Sequence, residues 1–536
     1  MRNAVICDMK GYVKNHWRLI AMSVAATLIS FGFLVFTDNI RIDTKELLNH
    51  PGTTDGWLAG GILFFWFFLL GANLLTFGIY HFSKNKQKYP YWVFLLLYVT
   101  SNIWSFQVYF SLQQAEVAFA MLLMIIAALL SMRVWFVASG KSNIARIAVS
   151  TLFLVVGLGA YQALAVFYIA ICIMYFLLLL EHLDSEGYIA GKDIVNGKTA
   201  GKSCGRNVWY GLLGLIVQFG VAYVLYRVIA DAWLMTTADY MENQMGWGRL
   251  SVLECVKNVL RTAKNLLFGD GPRNFSFFTI GVLVAVWLVF LLCRQQKCGK
   301  GAWSGLRFRL FLLALLGLLA SPFLMTIYMG EMLVTRSQFA LPVASAFLGT
   351  YGIGMVYELW DADGAFVNVR TGERLLAVLR LCVLLTIAVQ TGYNLRLAYT
   401  DEVRQKWDEQ KTKELLVTLQ EMNDGVLPAQ PVIFVGYQKP VLGDICRRTE
   451  MYGWSFYEWD YSEANPTGAT HGIAGFVQAY AGEKLNATAT EEERQRALEM
   501  AESMTDFPQN GSVQMTDDFV VVRLSEVVER TDYDWW

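Results

Sequence analysis

The chain reads as an all-α polytopic membrane protein of about eleven transmembrane helices, followed by a small extracytoplasmic α+β domain. Three observations predict this. Hydrophobic residues make up 55% of the 536 and charged residues only 17%, with a mean hydropathy of +0.38; a water-soluble chain carries nearer a quarter charged residues. Apolar runs of about 20 residues, the length that crosses a bilayer, recur up to residue 393 and then stop. Lys and Arg concentrate in alternate connections between those runs, the asymmetry that orients helices in a membrane. The net charge of -1 leaves no electrostatic footprint for nucleic acid.

The first run, 18–36, follows a mostly polar segment and has no small-residue cleavage site after it, so it is expected to remain as an anchor. Further runs fall at 58–80, 91–111, 116–138, 208–230, 276–293, 309–328, 338–357 and 375–393. The stretch 145–181 is too long for one span, and Gly157-Leu158-Gly159-Ala160-Tyr161-Gln162 interrupts it. It reads as two shorter helices joined by a tight turn. The basic connections carry Arg2, Lys10, Lys14 and Arg18; Lys84, Lys86 and Lys88; Arg133, Lys141 and Arg146; Lys192, Lys198, Lys202 and Arg206; and Arg294, Lys297, Lys300, Arg307 and Arg309. All of them share one side only if 145–181 is two helices. That agreement predicts a multi-pass membrane protein with a cytoplasmic N-terminus and everything after 394 extracytoplasmic.

Within the outer segment 231–275, Ser251-Val252-Leu253-Glu254 is a capping box opening a helix. Leu250, Leu253, Val256, Leu260 and Leu267 share one face of it, and Lys257, Arg261 and Lys264 another. Such a helix is suited to lie in the headgroup layer. After Tyr393 the composition turns to that of a soluble domain. The pattern predicts a charged helix over 401–422, a buried strand at Pro431–Val435, a helix at 490–503, and a terminal hairpin from Val513 to Leu524 turning at Thr516-Asp517-Asp518. Two domains follow, 1–393 and 394–536. The eight cysteines show no metal spacing and no disulfide framework.

Polar residues at the outer ends of spans are the candidate site residues, since burying them in lipid without a partner costs several kcal/mol. They are Asp38, Arg41 and Asp43 in the first outer connection, Tyr161 and Gln162 at the mid-chain turn, Arg249 in the long outer segment, and Glu331, Arg336 and Gln338 before a late span. A carboxylate in a cleft suits a base that takes the proton of a hydroxyl. Arg is well shaped to hold a phosphate whose charge is growing. Each has a structural alternative. Asp38 and Asp43 suit helix capping, Tyr161 and Gln162 suit turn formation, and Glu331 and Arg336 suit a local ion pair. There is no Gly-rich phosphate loop at a strand–helix junction and no HExxH. No cofactor is called for and no metal ligands are assigned; a divalent cation stays open.

At these residues the chain resembles a known family. Asp38-Asn39-Ile40-Arg41-Ile42-Asp43-Thr44, Gly159-Ala160-Tyr161-Gln162-Ala163 and the stretch from Arg336 to Pro342 are similar to motifs of the bacterial membrane glucosyltransferases that decorate O-antigen and related surface glycans. The resemblance covers roughly 15–420 and implies a fold similar to the C-type glycosyltransferases. It also implies a polyprenyl-phosphate-linked sugar as donor, glucose first among sugars, and a surface polysaccharide or its lipid-linked repeat as acceptor. Carried over by position, Asp38 is the first acidic residue and Asp43 the second. Asn39 stands where some members have a second adjacent aspartate, which leaves open which of the two is the base. The alternative is a non-enzymatic transporter or scaffold for lipid-linked glycans, for which Pro322 and Pro342, each interrupting an apolar run, are the relevant features.

Overall fold

A computed structural model describes residues 2–36, 56–110, 113–137, 143–184, 186–189, 206–233, 245–268, 277–297, 305–332, 335–361 and 369–529. The chain is mostly helical. In order it forms α1 (Arg2–Phe36), α2 (Gly56–Phe82), α3 (Tyr91–Val99), α4 (Asn102–Tyr109), α5 (Gln114–Met132), α6 (Asn143–Ala160), α7 (Leu164–Leu179), α8 (Val208–Trp233), α9 (Val252–Phe268), α10 (Phe278–Lys297), α11 (Gly305–Ala320), α12 (Leu324–Met329), α13 (Ala340–Asp361), α14 (Val369–Glu421), α15 (Ala469–Ala481) and α16 (Glu491–Ala501). Among the described residues nine helical segments are long and apolar enough to cross a membrane. The other two expected spans differ in form. The run 276–293 gives the shorter apolar helix Phe278–Cys293. The run 91–111 is broken at Thr100-Ser101 into α3 and α4.

The chain divides into two compact units. The first comprises 1–30, 63–107 and 115–392, and the second 31–62, 108–114 and 393–536. In the first unit, the span Ala340–Tyr357 is 94% buried and so lies at its centre, whereas only 22% of Val208–Ala232 is covered. Leu213, Ile216, Val217, Val221 and Val224 of α8 face outward. Water does not tolerate an apolar rim of this kind, and lipid does. This is a membrane protein. Close helix contact comes from small residues: a Cβ on Gly281 would lie 2.8 Å from Leu348, and one on Gly352 2.5 Å from Val284, so α10 and α13 approach through glycine.

One ion-pair cluster tests how often the chain crosses this unit. Lys88 Nζ lies 2.6 Å from Glu181 Oε1, Tyr89 Oη donates to the same carboxylate, and the Lys84 amide donates to its other oxygen at 3.3 Å. The segment before α3 and the end of α7 therefore share one end of the unit. An even number of passes must lie between them. The broken pair α3–α4 taken as one pass, with α5, α6 and α7, makes four; a single helix over 145–181 would make three and place Lys88 and Glu181 at opposite ends. The division at Tyr161 is thus a structural necessity. Asp8 of α1 joins the same end, with His81 Nδ1 at 3.0 Å and Lys86 Nζ at 2.8 Å.

The break between α3 and α4 follows from the polar run Thr100-Ser101-Asn102 within apolar sequence. All three side chains are buried. Thr100 Oγ1 donates to Leu96 O at 2.8 Å and to Gln390 Oε1 of α14 at 3.0 Å, which satisfies part of the freed polar surface.

In the second unit, α14 enters as one uninterrupted helix of 53 residues. The composition changes after Tyr393, but no Gly or Pro stands between 393 and 421 to end the helix. Beyond it lies a three-stranded sheet in the order β3-β5-β4, formed by β3 (Val432–Val435), β4 (Val513–Met515) and β5 (Val520–Arg523). Val432 pairs with Val520 in parallel, and Val513 with Val522 in antiparallel register. A separate two-stranded pairing, β1 (Tyr188–Ile189) with β2 (Arg206–Asn207), belongs to the first unit. The continuous apolar run of β3 is explained by cover on both faces. Val432 and Phe434 pack with Leu415, Leu419, Ile473 and Val477, while Ile433 and Val435 pack with Ala497 and Ala501. The Thr490 side chain and Glu493 form a capping box at the start of α16.

Candidate functional site

The end of the first unit away from Glu181 gathers several of the residues singled out in the sequence. α7 separates the two ends. Tyr161 and Gln162 precede it and Glu181 follows it, and at about 1.5 Å per residue that is roughly the thickness of a bilayer core. The α6–α7 connection is short because its backbone stays bonded throughout: Tyr161 N donates to Gly157 O at 3.1 Å, Leu164 N to Tyr161 O at 3.0 Å, and Ala165 N to Gln162 O at 3.0 Å.

The two side chains of that connection are held in place. Gln162 Nε2 donates to Tyr226 Oη of α8 at 2.5 Å, so the amide at membrane depth has its partner. Tyr161 Oη lies 3.3 Å from Ser337 Oγ, and its ring meets Phe339 edge-on at 5.4 Å. Phe339 is fully buried and also contacts Trp104 of α4 at 5.9 Å and Phe167 of α7 at 6.4 Å. This one ring fixes the turn Thr335–Ser337 against the α6–α7 connection. Arg336 and Gln338 lie on that turn, both half-buried. The backbone closes through Gln338 N to Thr335 O at 3.2 Å and Leu341 N to Gln338 O at 3.1 Å. Gln338 Oε1 is shut away from solvent without a hydrogen-bond donor among the described residues. Both amide atoms of Gln107, one helical turn beyond Trp104, are likewise buried with no hydrogen-bond partner among the described residues. A buried acceptor left unpaired is costly, and a hydroxyl-rich ligand supplies what such groups lack.

A second group forms around Gly330, where a hydrogen bond from Gly246 N to Met329 O of 2.7 Å joins two turns. Gly330 has φ +70°, and a Cβ there would lie 2.9 Å from Cys255 Sγ and 3.1 Å from the Trp247 ring; only glycine fits. Trp247 Nε1 donates to Ile327 O at 2.8 Å, and Asn258 Nδ2 to Gly330 O at 3.1 Å. Arg249 pairs with Glu331, not in the local Glu331–Arg336 pair that the sequence allowed. Both members are partly exposed, so the pair is worth roughly 0–1 kcal/mol and exchanges partners at little cost.

α9 leaves this group with its first turn capped, Glu254 N donating to Ser251 Oγ at 3.2 Å. The Lys257 ammonium, 2.8 Å from Glu254, holds that carboxyl below its usual range. Asp38, Arg41 and Asp43 lie outside the described residues. Tyr226, Ser337, Phe339 and Gln107 were not singled out in the sequence. Tyr226 carried a legible signal, a Tyr-Arg pair closing an otherwise apolar run; Ser337 and Phe339 sit beside residues that were chosen. Among the described residues, no group of three or more His, Cys, Asp or Glu could hold a metal ion.

Compared with known proteins, residues 44–352 match the family described as Glucosyl transferase GtrII. That span is more than half of the chain and includes the α6–α7 connection, the Gly330 group and the Arg336 turn. The chain belongs to this family. No curated protein and no solved structure matches it.

Proposed function

From this membership we propose that the protein transfers a sugar, glucose by its family, from a polyprenyl-phosphate carrier to a surface polysaccharide or its lipid-linked precursor. The reaction takes place at the extracytoplasmic face of a bacterial inner membrane, on a C-type architecture. Residues 1–393 form the membrane transferase domain, and 394–536 an extracytoplasmic domain. The observation that carries the reading is the Arg336–Gln338 turn held by Phe339 against Tyr161, at the end of the unit away from the basic connections.

In the reaction an acceptor hydroxyl attacks the anomeric carbon. The new glycosidic C–O bond forms as the bond to the carrier phosphate breaks. Asp38 or Asp43 takes the hydroxyl proton, a role for which a carboxylate beside a cleft is suited. Arg336 holds the departing phosphate as its charge grows. Arg249, held by Glu331, and Arg41 of the first outer connection are further candidate cations for the carrier phosphate. Tyr161, Gln162, Glu331 and Gln338 offer hydrogen bonds to sugar hydroxyls. Gln338, whose amide oxygen has no donor among the described residues, adds selectivity, since a sugar hydroxyl satisfies it.

The test compares the surface glycan by mass and linkage in cells producing wild type, Asp38→Asn, Asp43→Asn or Arg336→Gln at equal protein level. One aspartate variant is expected to abolish the modification. Arg336→Gln is expected to slow it roughly 10- to 150-fold, the loss of one charge-assisted hydrogen bond. Full modification in both aspartate variants would remove the catalytic assignment.

A further inference from the structure

The second unit contains a cavity of about 710 Å3, well away from the Arg336 turn in sequence. Its volume falls within the roughly 300–1,000 Å3 typical of small-ligand sites. The lining combines buried apolar side chains, Pro428, Ala474 and Leu485, with the exposed polar His471, Lys484 and Thr488. The walls are tied in place. α15 ends at Gly482, whose amide donates to Gln478 O at 3.1 Å. The chain then runs back so that Asn486 O accepts from Val432 N of the sheet at 2.8 Å, and Asn486 Nδ2 donates to Ala429 O at 3.4 Å. Both sides of the cavity are thus bonded through one residue, and a ligand would meet a preformed surface.

The chemistry of the lining narrows the ligand. It contains a lysine, a histidine, two amides and a threonine hydroxyl, and no carboxylate. Lys484 has no ion pair among the described residues. No Phe, Tyr or Trp lines the cavity, which leaves a nucleotide base no broad stacking platform, and the polar lining residues disfavour a lipid chain. What fits is a ring with many hydroxyls and one negative charge. The apolar lining residues take the C–H face of the ring, the amides take hydroxyls, and Lys484 takes the anion.

We propose that this cavity binds an anionic sugar unit of the acceptor glycan, a uronate or a phosphate-bearing hexose. The proposal rests on the reading of the protein as a glycan-modifying transferase, but binding is measured without donor or turnover, so either idea can fail alone.

Full-length protein in detergent is titrated calorimetrically with trigalacturonate, glucose 6-phosphate, maltotriose and inorganic phosphate. Saturable binding of at least one anionic sugar is expected, with maltotriose and phosphate much weaker. Lys484→Gln is expected to weaken it at least about 10-fold, the loss of a charge-assisted hydrogen bond, and Gln478→Ala to weaken it less, both with unchanged melting temperature. Three results would overturn the proposal: no saturable binding of either anionic sugar, equal binding of maltotriose or phosphate alone, or unchanged affinity in Lys484→Gln.

Discussion

Arg404 is buried between carboxylates, and its surroundings show what a single buried cation does. It is 0% exposed, with Asp401 at 3.1 Å and Asp408 at 2.8 Å. Ser455 Oγ donates to the far oxygen of Asp408. Glu458 beside it is buried and pairs with Arg448 at 2.8 Å. One turn further along α14, Thr412 meets Tyr457 Oη at 2.9 Å, and burial pushes that phenol up, so it stays a neutral partner. Together these bonds fasten the polar half of α14 to the segment 448–460. Taking one member out of such a cluster costs more than the cluster contributes, because the remaining charges stay buried without compensation. Arg404→Met is therefore expected to destabilise this unit by about 3–5 kcal/mol. The exposed pair Lys406–Glu402, at 3.0 Å, sets the comparison: Lys406→Gln should change stability by about 0–1 kcal/mol. Hydrogen exchange at the amides of β3 and β5 measures both. Equal protection in the two variants would show that the cluster holds nothing in place.

At the scale of elements, what the sequence made legible was governed by periodicity, and what it hid was governed by tertiary partners. The buried strand at Val432–Val435, the helix capped at Thr490 and the hairpin turning at Thr516 follow local rules, and they form where the pattern puts them. The α6–α7 division was legible because charge alternation and a Gly-rich interruption agreed. The α3–α4 break was not. Its polar triplet is short, and the partner that makes burial tolerable, Gln390, lies 290 residues away. A break of this kind is also what a transporter uses at its binding site, and a second lies at Ser321–Phe323, where Pro322 separates α11 from α12. α9 lies between these limits: its apolar and basic faces were legible, its buried face was not. Cys255, Asn258, Thr262 and Leu266 are buried, whereas Leu253, Val256 and Leu260 are exposed although apolar, and Lys257, Arg261 and Lys264 occupy a third face. Apolar exposure beside a basic strip suits a helix lying at the headgroup boundary. Spin labels at Val256→Cys and Arg261→Cys in reconstituted protein test this. The first is expected to relax with oxygen, which partitions into lipid, and the second with a water-soluble nickel chelate. Equal access of nickel to both would place α9 in water.

For the whole molecule, the decisive quantity is which end of the helical body faces the cytoplasm, and the sequence bears on it more directly than packing does. Packing shows that Asp8, Lys86, Lys88 and Glu181 share an end, and that Tyr161, Gln162 and Ser337 gather at the other. It is indifferent to orientation. The Lys and Arg residues of alternate connections break that symmetry, since positively charged connections resist translocation. The proposed site was only partly legible for the same reason. Charge and polarity at span ends pointed to Tyr161, Gln162 and Arg336, but the ring that assembles them, Phe339, looks in sequence like any apolar residue of a span. Orientation then decides whether the chemistry is feasible. The proposed transfer, from a carrier-linked sugar to a surface glycan outside the inner membrane, requires the Tyr161 end to face out and the Lys88 end in. In cells whose outer membrane has been made permeable, Asn85→Cys is expected to resist a maleimide that does not cross the inner membrane, and to react only after lysis. Gln495→Cys in α16 is expected to react before lysis, each judged against the wild-type background. The reverse pattern would put the C-terminal region in the cytoplasm, where no surface glycan is presented, and would remove both the transfer site and the sugar-binding cavity from their proposed substrates.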